Sequence, residues 1–407
     1  MLYGLEIENF MSIREHQTID LRVPPNVREQ SRSLRPIWDG SKERAPSVVA
    51  FFGPNGAGKS NVLRALNFVA TFVHSSFSRK PESPFEFSKF ADDISSSEPT
   101  KFVLHFSGPL ELPSETKALS ANLEEFSPEC AYVYELEIES VDPPKVLREV
   151  LSYYPRGSKK RVFERVGSTV KAGADFGLSS DYRAIDAILR PDASVISTLV
   201  QLNHPVAILL WKVALRCWSN IWVTKFEPTD DDAIKWYENN SPFLEKLSRE
   251  ISRLDIGIQS AALADVAGAT TMIFDHRGLT RQIPIAMESH GTRQFIKIFP
   301  WIAMALEGGG LAIVDELDTS IHPLILPEIA SWFYDARKNP HGAQLWITCQ
   351  AASLLEDLSK EQIFFCEKDD VGRTSVFGLR EIKNVRRVDN FYRKYISGVY
   401  GAIPRVG

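Results

Sequence analysis

The sequence predicts an α/β fold, with a mixed β lobe and a mostly parallel sheet flanked by helices around a phosphate-binding loop, plus an inserted helical subdomain. Three observations carry this. Residues 53–60 read Gly-Pro-Asn-Gly-Ala-Gly-Lys-Ser, a G-x-x-x-x-G-K-[ST] run. The run lies between an apolar strand, Ser47–Phe52, and a stretch of helical periodicity from Asn61. Leu311–Glu316 is a second apolar run, and it ends in two carboxylates. Towards the C-terminal end strand-like and helical segments alternate, as in a parallel sheet covered on both faces.

Taken in order, Leu2–Asn9 alternates apolar and polar residues, the pattern of a half-buried strand, and His16–Leu21 is its expected hairpin partner. Arg22–Pro46 is rich in proline, serine and charge and reads as a surface loop. The loop strand and its helix run to about residue 76, and 79–100 reads as irregular. Lys101–Phe106, Tyr132–Glu139, Val146–Tyr154 and Lys160–Arg165 read as further strands. Asp181–Leu189, Val195–Cys217 and Asp230–Leu254 have helical spacing and few turn signals, which defines the insert. Thr271–Asp275 and Thr280–Ile285 read as strands, and Ser289–Leu306 as a helix that Pro300 kinks or divides. Gly310–Asp315 and Ala343–Thr348 read as buried strands, with a helix, His322–Tyr334, between them. The expected divisions are a first lobe at 1–170, an insert at 171–265 and a second lobe at 266–407.

The glycine-rich run has a mechanism. Glycines let the backbone fold tightly, so that its N–H groups point at phosphate oxygens. Gly53, Asn55, Gly56, Ala57, Gly58, Lys59, Ser60 and Asn61 are therefore candidate nucleotide-binding residues. Lys59 brings positive charge to the β- and γ-phosphates, and the Ser60 hydroxyl is a candidate Mg²⁺ ligand. Asp315 is the second candidate Mg²⁺ ligand, and Glu316 the candidate group for polarising an attacking water. Glu288-Ser-His-Gly-Thr-Arg-Gln294 immediately precedes a helix. Ser289, Gly291 and the helix N-terminus offer donors to an anion; alternatively Ser289 only starts the helix as its N-cap, and both can hold together.

Composition bounds the rest. With 407 residues, 44% hydrophobic and 24% charged, the chain reads as a soluble protein of two or three domains. A net charge of −5 does not advertise nucleic-acid binding. Cys130, Cys217, Cys349 and Cys366 are scattered, which excludes a C-x-x-C zinc or disulfide framework. Met1–Phe10 carries charge early, unlike a signal peptide, and the longest apolar stretch, Pro205–Leu215, is too short to span a bilayer. The expectation is a cytoplasmic protein with no membrane contact. Residues 380–405 hold seven Lys and Arg against two acids, with Phe391, Tyr392, Tyr395 and Tyr400 interleaved. They form either a solvated face over packed aromatics or a contact for nucleic acid or a partner protein. Glu367, Asp369 and Asp370 follow a short strand, Gln362–Cys366, and read as a solvated turn before a metal site.

Gly53–Ser60, Ser289-His-Gly-Thr-Arg-Gln294 and Val314-Asp-Glu-Leu-Asp-Thr-Ser-Ile-His-Pro323, in this order, resemble an ABC-type ATPase of the SMC/RecF/OLD branch. Leu5-Glu-Ile-Glu-Asn-Phe-Met-Ser-Ile13 is similar to that branch's first strand. Tyr395-Ile-Ser-Gly-Val-Tyr-Gly-Ala-Ile-Pro404 resembles the ending of bacterial AAA-type ATPases grouped with abortive-infection and OLD-like phage-defence proteins. The resemblance covers about two thirds of the chain and leaves the helical insert aside.

The resemblance implies a P-loop NTPase head of ABC type, with ATP and Mg²⁺ as its cofactors. Two heads pair head-to-tail around ATP, so the chain is expected to form at least a dimer. Ser289 and Gly291 then touch the γ-phosphate of ATP bound to the partner, and Asp318 and Ser320 form the loop that crosses the interface. Gln350 stands where the family usually has a histidine, and it donates a hydrogen bond but carries no charge, which implies slow turnover. His290 occupies a position more often small or acidic. The implied function is an ATP-driven switch of an antiphage system, answering a phage-encoded trigger or DNA and controlling a separate toxin or nuclease. The alternative is a RecF- or SMC-like DNA-binding ATPase. About 250 residues separate the two nucleotide motifs, too many for a transporter ATPase.

Overall fold

The loop strand, Val48–Phe52, is buried along its whole length, and its alternate side chains feed two different cores. Val49 and Phe51 point into one; Val48, Ala50 and Phe52 point into the other. That follows from the twofold repeat of a strand placed inside a sheet covered on both faces. In the computed structural model, which describes residues 1–27, 32–113, 129–140, 143–178, 185–222, 224–254, 257–266, 268–319 and 321–404, this strand is central to a six-stranded sheet. The order is Cys217–Ser219, Leu311–Val314, Gln344–Thr348, Val48–Phe52, Ile363–Lys368, Thr374–Gly378. The first five run parallel and the last is antiparallel.

A second, wholly antiparallel sheet has the order Thr169–Ala172, Lys160–Val166, Lys145–Tyr153, Glu129–Glu139, Thr100–Pro109, Leu2–Glu8, Gln17–Asp20. The loop helix, Lys59–Ser75, lies in the core that this sheet shares with one face of the parallel sheet. On the opposite face lie the helices His290–Gly308 and Leu326–Tyr334. The β lobe and the mostly parallel, helix-covered sheet expected from the sequence are both present in this chain. Among the described residues no helix is long and apolar enough to cross a membrane.

Several local expectations change. Val195–Cys217 is not one helix: it divides into Val195–Val200 and Pro205–Leu215, with Asn203 at φ 57° between them, and Cys217 opens a strand. Asp181–Leu189 keeps only a turn of helix, Ile185–Ile188, and residues 181–184 lie outside the described set. Pro300 does not divide its helix, which is continuous over His290–Gly308. The strand expected at Thr280–Ile285 shrinks to Ile283–Pro284, and the loop 22–46 contains a small ribbon of Leu34–Pro36 and Arg44–Pro46.

The segment 171–265, expected as an inserted unit, is shared between both cores. Val195, Leu199 and Val206 join the core of the antiparallel sheet, whereas Ile234, Leu247 and Ile251 join the other. A buried ionic knot fastens the first part. Tyr134 donates to Glu149 at 3.0 Å and the Val195 amide donates to its other oxygen at 2.9 Å. Arg165 lies 3.9 Å from that second oxygen and also donates to the carbonyls of Gly167 and Arg190. Burial pushes the Glu149 carboxyl up to about 7 from 4.5, against the pull of Arg165, Val195 and Tyr134.

A carboxyl raised on folding stabilises the native state fully below its unfolded value, and that contribution is lost as pH rises through the folded value. Stability is therefore expected to fall between pH 4.5 and about 7 from this group, by on the order of 3 kcal/mol. Urea midpoints across that range should lose this slope in Glu149→Gln; an unchanged slope would place the titration elsewhere.

Candidate functional site

Because the central strands are parallel, their carboxyl ends share one edge, the usual ligand edge of such a sheet. Val48–Phe52 delivers the glycine-rich loop there, Leu311–Val314 delivers Asp315 and Glu316, and Gln344–Thr348 delivers Cys349 and Gln350. The strand order puts Thr348 between the other two.

The loop is tight for a steric reason. Gly53 has φ 146°, and a Cβ there would stand 2.2 Å from the Cys366 carbonyl oxygen. Gly58 has φ 95°, and its Cβ would stand 2.2 Å from the Thr374 hydroxyl. Thr374 donates to the Ala57 carbonyl at 2.9 Å, and its hydroxyl shares a 2.7 Å bond with that of Ser12. Asn61 donates to Ser12 at 2.6 Å. The first β turn and the antiparallel edge strand thus brace the loop from outside. Asn55 and Gly56 face solvent, and Ala57 is buried.

Lys59 is mostly buried and donates to the carbonyls of Gly53 at 2.9 Å and Pro54 at 3.1 Å. Burial lowers its pKa, while Cys366, Asp315, Asp318 and Glu316 pull it up. Ser60 donates to Asp315 Oδ1 at 2.8 Å, and Thr348 donates to the same oxygen at 2.7 Å. A hydroxyl and a carboxylate at this separation form the hard oxygen pair that suits Mg²⁺. The residues present fit that ion and a phosphate chain. Among the described residues, no group of three or more His, Cys, Asp or Glu is placed to hold a metal ion.

Glu316 sits at φ 51° with its amide donating to the Thr348 hydroxyl at 2.7 Å, and its Oε2 accepts from Lys225 at 2.9 Å. Gln350 is exposed, and its amide donates to Asp318 Oδ2 at 2.7 Å. Ser289 is the N-cap of its helix: its hydroxyl accepts from the Thr292 amide at 3.1 Å. It is exposed, as is His290, and Gly291 is half-buried in the first turn. That helix runs back to the start of Leu311–Val314, so its N-terminus lies towards the same sheet edge as Glu316. Ser320 and Arg405 lie outside the described residues.

Three partners of the site carry no motif. Asn220 grips the backbone of Asp315 twice, accepting from its amide at 2.7 Å and donating to its carbonyl at 3.1 Å. Lys225 holds Glu316, and Thr348 joins Asp315 to Glu316. Only Thr348 left a signal, as a polar residue ending the buried strand after the acidic one. Three of the seven tail cations are engaged in internal contacts: Arg380 on the Arg22 carbonyl, Arg387 on Glu361 and Lys394 on Asp389. This weakens its reading as a nucleic-acid surface.

A family model described as "AAA domain, putative AbiEii toxin, Type IV TA system" matches residues 48–348. The chain is similar to the SMC head domain from Thermotoga maritima, at 14% identity and TM-score 0.42, over 93% of this chain and 98% of that one. It is similar also to an SMC head bound to the C-terminal winged-helix domain of ScpA, at 13% and 0.43, over 93% and 97%. A third is an SMC head with an extended coiled coil bound to the C-terminal domain of ScpA, derived from Pyrococcus furiosus, at 12% and 0.41, over 93% and 96%. No curated protein sequence matches the chain.

Thr348→Val keeps the shape of the strand but removes the hydroxyl shared by Asp315 and the Glu316 amide. The expected cost is about 1–3 kcal/mol in a denaturant titration. Loss within experimental error would mean that solvent satisfies both groups.

Proposed function

As the chain belongs to the AAA-domain family described as putative AbiEii toxin of a Type IV TA system, we propose that it is an ATP-binding and ATP-hydrolysing switch that assembles around its nucleotide. The observation that carries the reading is the meeting of Ser60 and Asp315 at the parallel-strand edge, beside the buried ammonium of Lys59. In this reading the amides from Gly53 to Asn61 cradle the phosphates, and Lys59 leaves its two carbonyls for the β- and γ-phosphate oxygens. Ser60 and Asp315 hold Mg²⁺, which supplies charge neutralisation at those oxygens. Glu316 takes the proton from the attacking water as its oxygen bonds to the γ-phosphorus, and ADP leaves. Gln350 hydrogen-bonds water or the γ-phosphate, and its neutrality suits slow turnover.

Ser289, Gly291 and their helix N-terminus complete the pocket of a second copy. An exposed cap hydroxyl on a long helix can serve both its own first turn and an anion. ATP held from both sides then stabilises the dimer, and hydrolysis releases it. The family's description names a putative toxin of a Type IV TA system; in this reading the switch controls a separate effector, toxin or nuclease, in antiphage defence. Its trigger, phage-encoded or DNA, acts on the assembled state.

Two variants test the reading. Glu316→Gln should retain ATP while hydrolysis falls by a factor on the order of 10² or more, measured as phosphate release beside nucleotide affinity. Unchanged turnover would assign the base elsewhere. Ser289→Arg should leave nucleotide binding by the monomer intact and abolish the ATP-dependent rise in mass seen by light scattering. Dimers that persist in this variant rule out the composite pocket.

A further inference from the structure

The stretch from Cys217 to Glu227 belongs to the part of the chain without motifs, yet it is built onto the end of the acidic strand. Cys217–Ser219 pairs in parallel with Leu311–Ile313. Asn220 then continues the pairing with its side chain, bonding the amide and the carbonyl of Asp315. The chain turns back at once: the Phe226 amide donates to the Asn220 carbonyl at 2.7 Å, and Ile221 bridges to Lys225. Ser219 closes the base of the turn, donating to the Ile221 carbonyl and accepting from its amide. Lys225 is therefore placed by a fastened turn.

Its ammonium lies 2.9 Å from Glu316 Oε2 and 3.3 Å from Glu227 Oε1. Burial disfavours that charge, but the two carboxylates more than reverse the effect, so Lys225 is held as a cation. Beside the pair is a hollow of about 20 Å³, room for about one water, lined by Lys225, Glu316, Gln294, Lys297 and Trp301. Gln294 and Lys297 belong to the helix that begins at Ser289. The Glu316 backbone is in the left-handed region, which disfavours a side chain with a Cβ. Its amide is pinned by Thr348 and its side chain by Lys225. With Glu316 about a third exposed, the pair adds little to stability. What it fixes is direction.

We infer that Lys225 is a positioning residue for hydrolysis: it takes one carboxylate oxygen of Glu316 and so holds the other towards the water to be deprotonated. The inference rests on Glu316 being the base. Lys225 itself donates no proton to the reaction and touches no phosphate. Proton transfer runs from water to Glu316, and the ammonium stays charged throughout.

The test is steady-state ATP hydrolysis with Mg²⁺ and binding of a fluorescent ATP analogue, on the full chain. Wild type and Glu316→Gln are measured first. If wild type does not hydrolyse ATP, or if Glu316→Gln is fully active, the parent reading falls and this one with it. Given an active wild type and an impaired Glu316→Gln, Lys225→Met should lower kcat by a factor on the order of 10 to 100, as misorientation of a reacting group does. KM and analogue affinity should stay within about twofold, and Lys225→Arg should recover most of the rate. In the Glu316→Gln background Lys225→Met should cost nothing more, because it acts through the group already removed. Lys225→Gln replaces Lys225→Met if the latter melts early. A kcat equal to wild type, an equal further loss in the double variant, or a loss of affinity that arginine does not rescue would each overturn the assignment while leaving the ATPase reading in place.

Discussion

One carboxylate oxygen organises this molecule. Asp315 Oδ1 accepts from Ser60 at 2.8 Å and from Thr348 at 2.7 Å, in a place almost closed to solvent. A buried charge without partners is expensive, so those two hydroxyls are a condition of the fold as well as of the site. They come from the start of the loop helix and from the end of the strand between the loop strand and the acidic strand. The bonds therefore tie the loop helix and two parallel strands at one edge, and Thr348 passes the constraint on to the Glu316 amide. Asn220 closes the other side by pairing with the Asp315 backbone.

The same edge is braced from the antiparallel side. Gly58 and Thr374 approach so closely that no other residue fits the loop position, and Ser12 bridges Thr374 to Asn61. The β lobe thus grips the loop through hydroxyls, in addition to the apolar core under the loop helix. Loop conformation depends on contacts from residues 12, 366 and 374, far apart in the chain, which is why a short glycine-rich run can hold an ordered cradle.

The fold class was legible because its signals are local: a strand of full burial before a glycine-rich loop, helical periodicity after it, and a second apolar run that ends in Asp315 and Glu316. The individual strands of the first lobe were legible through alternation. In the segment 171–265 the helical stretches were legible but their breaks and their packing were not: periodicity runs across Asn203 although Pro205 opens the next helix, and the helices divide between two cores. A three-residue strand such as Cys217–Ser219 gains its conformation from the neighbour Leu311–Val314, not from its own pattern. Asn220 and Lys225 are likewise ordinary residues in sequence. Their meaning comes from a strand pairing across about ninety residues of chain. Of the two readings open for the basic tail, the face over packed aromatics agrees with the burial of Phe391, Tyr395 and Tyr400, and several of its cations serve carbonyls and acids of the same chain.

The ammonium groups of Lys59 and Lys225 are both engaged by groups of the chain, and they are engaged differently. Lys59 is bonded to two neutral carbonyls in a desolvated place, and burial lowers its pKa. A phosphate oxygen brings a full negative charge to the same spot, and an ion pair in a desolvated place gains a Coulomb attraction that a neutral carbonyl does not offer. Lys59 is therefore disposed to exchange carbonyls for an anion. Lys225 already faces two carboxylates. Transfer to a phosphate would leave Glu316 and Glu227 uncompensated beside each other, so this cation is disposed to stay. In the proposed function the two lysines would therefore divide the work by the charge of their partners: Lys59 would pass to the incoming anion, and Lys225 would keep the carboxylate in place.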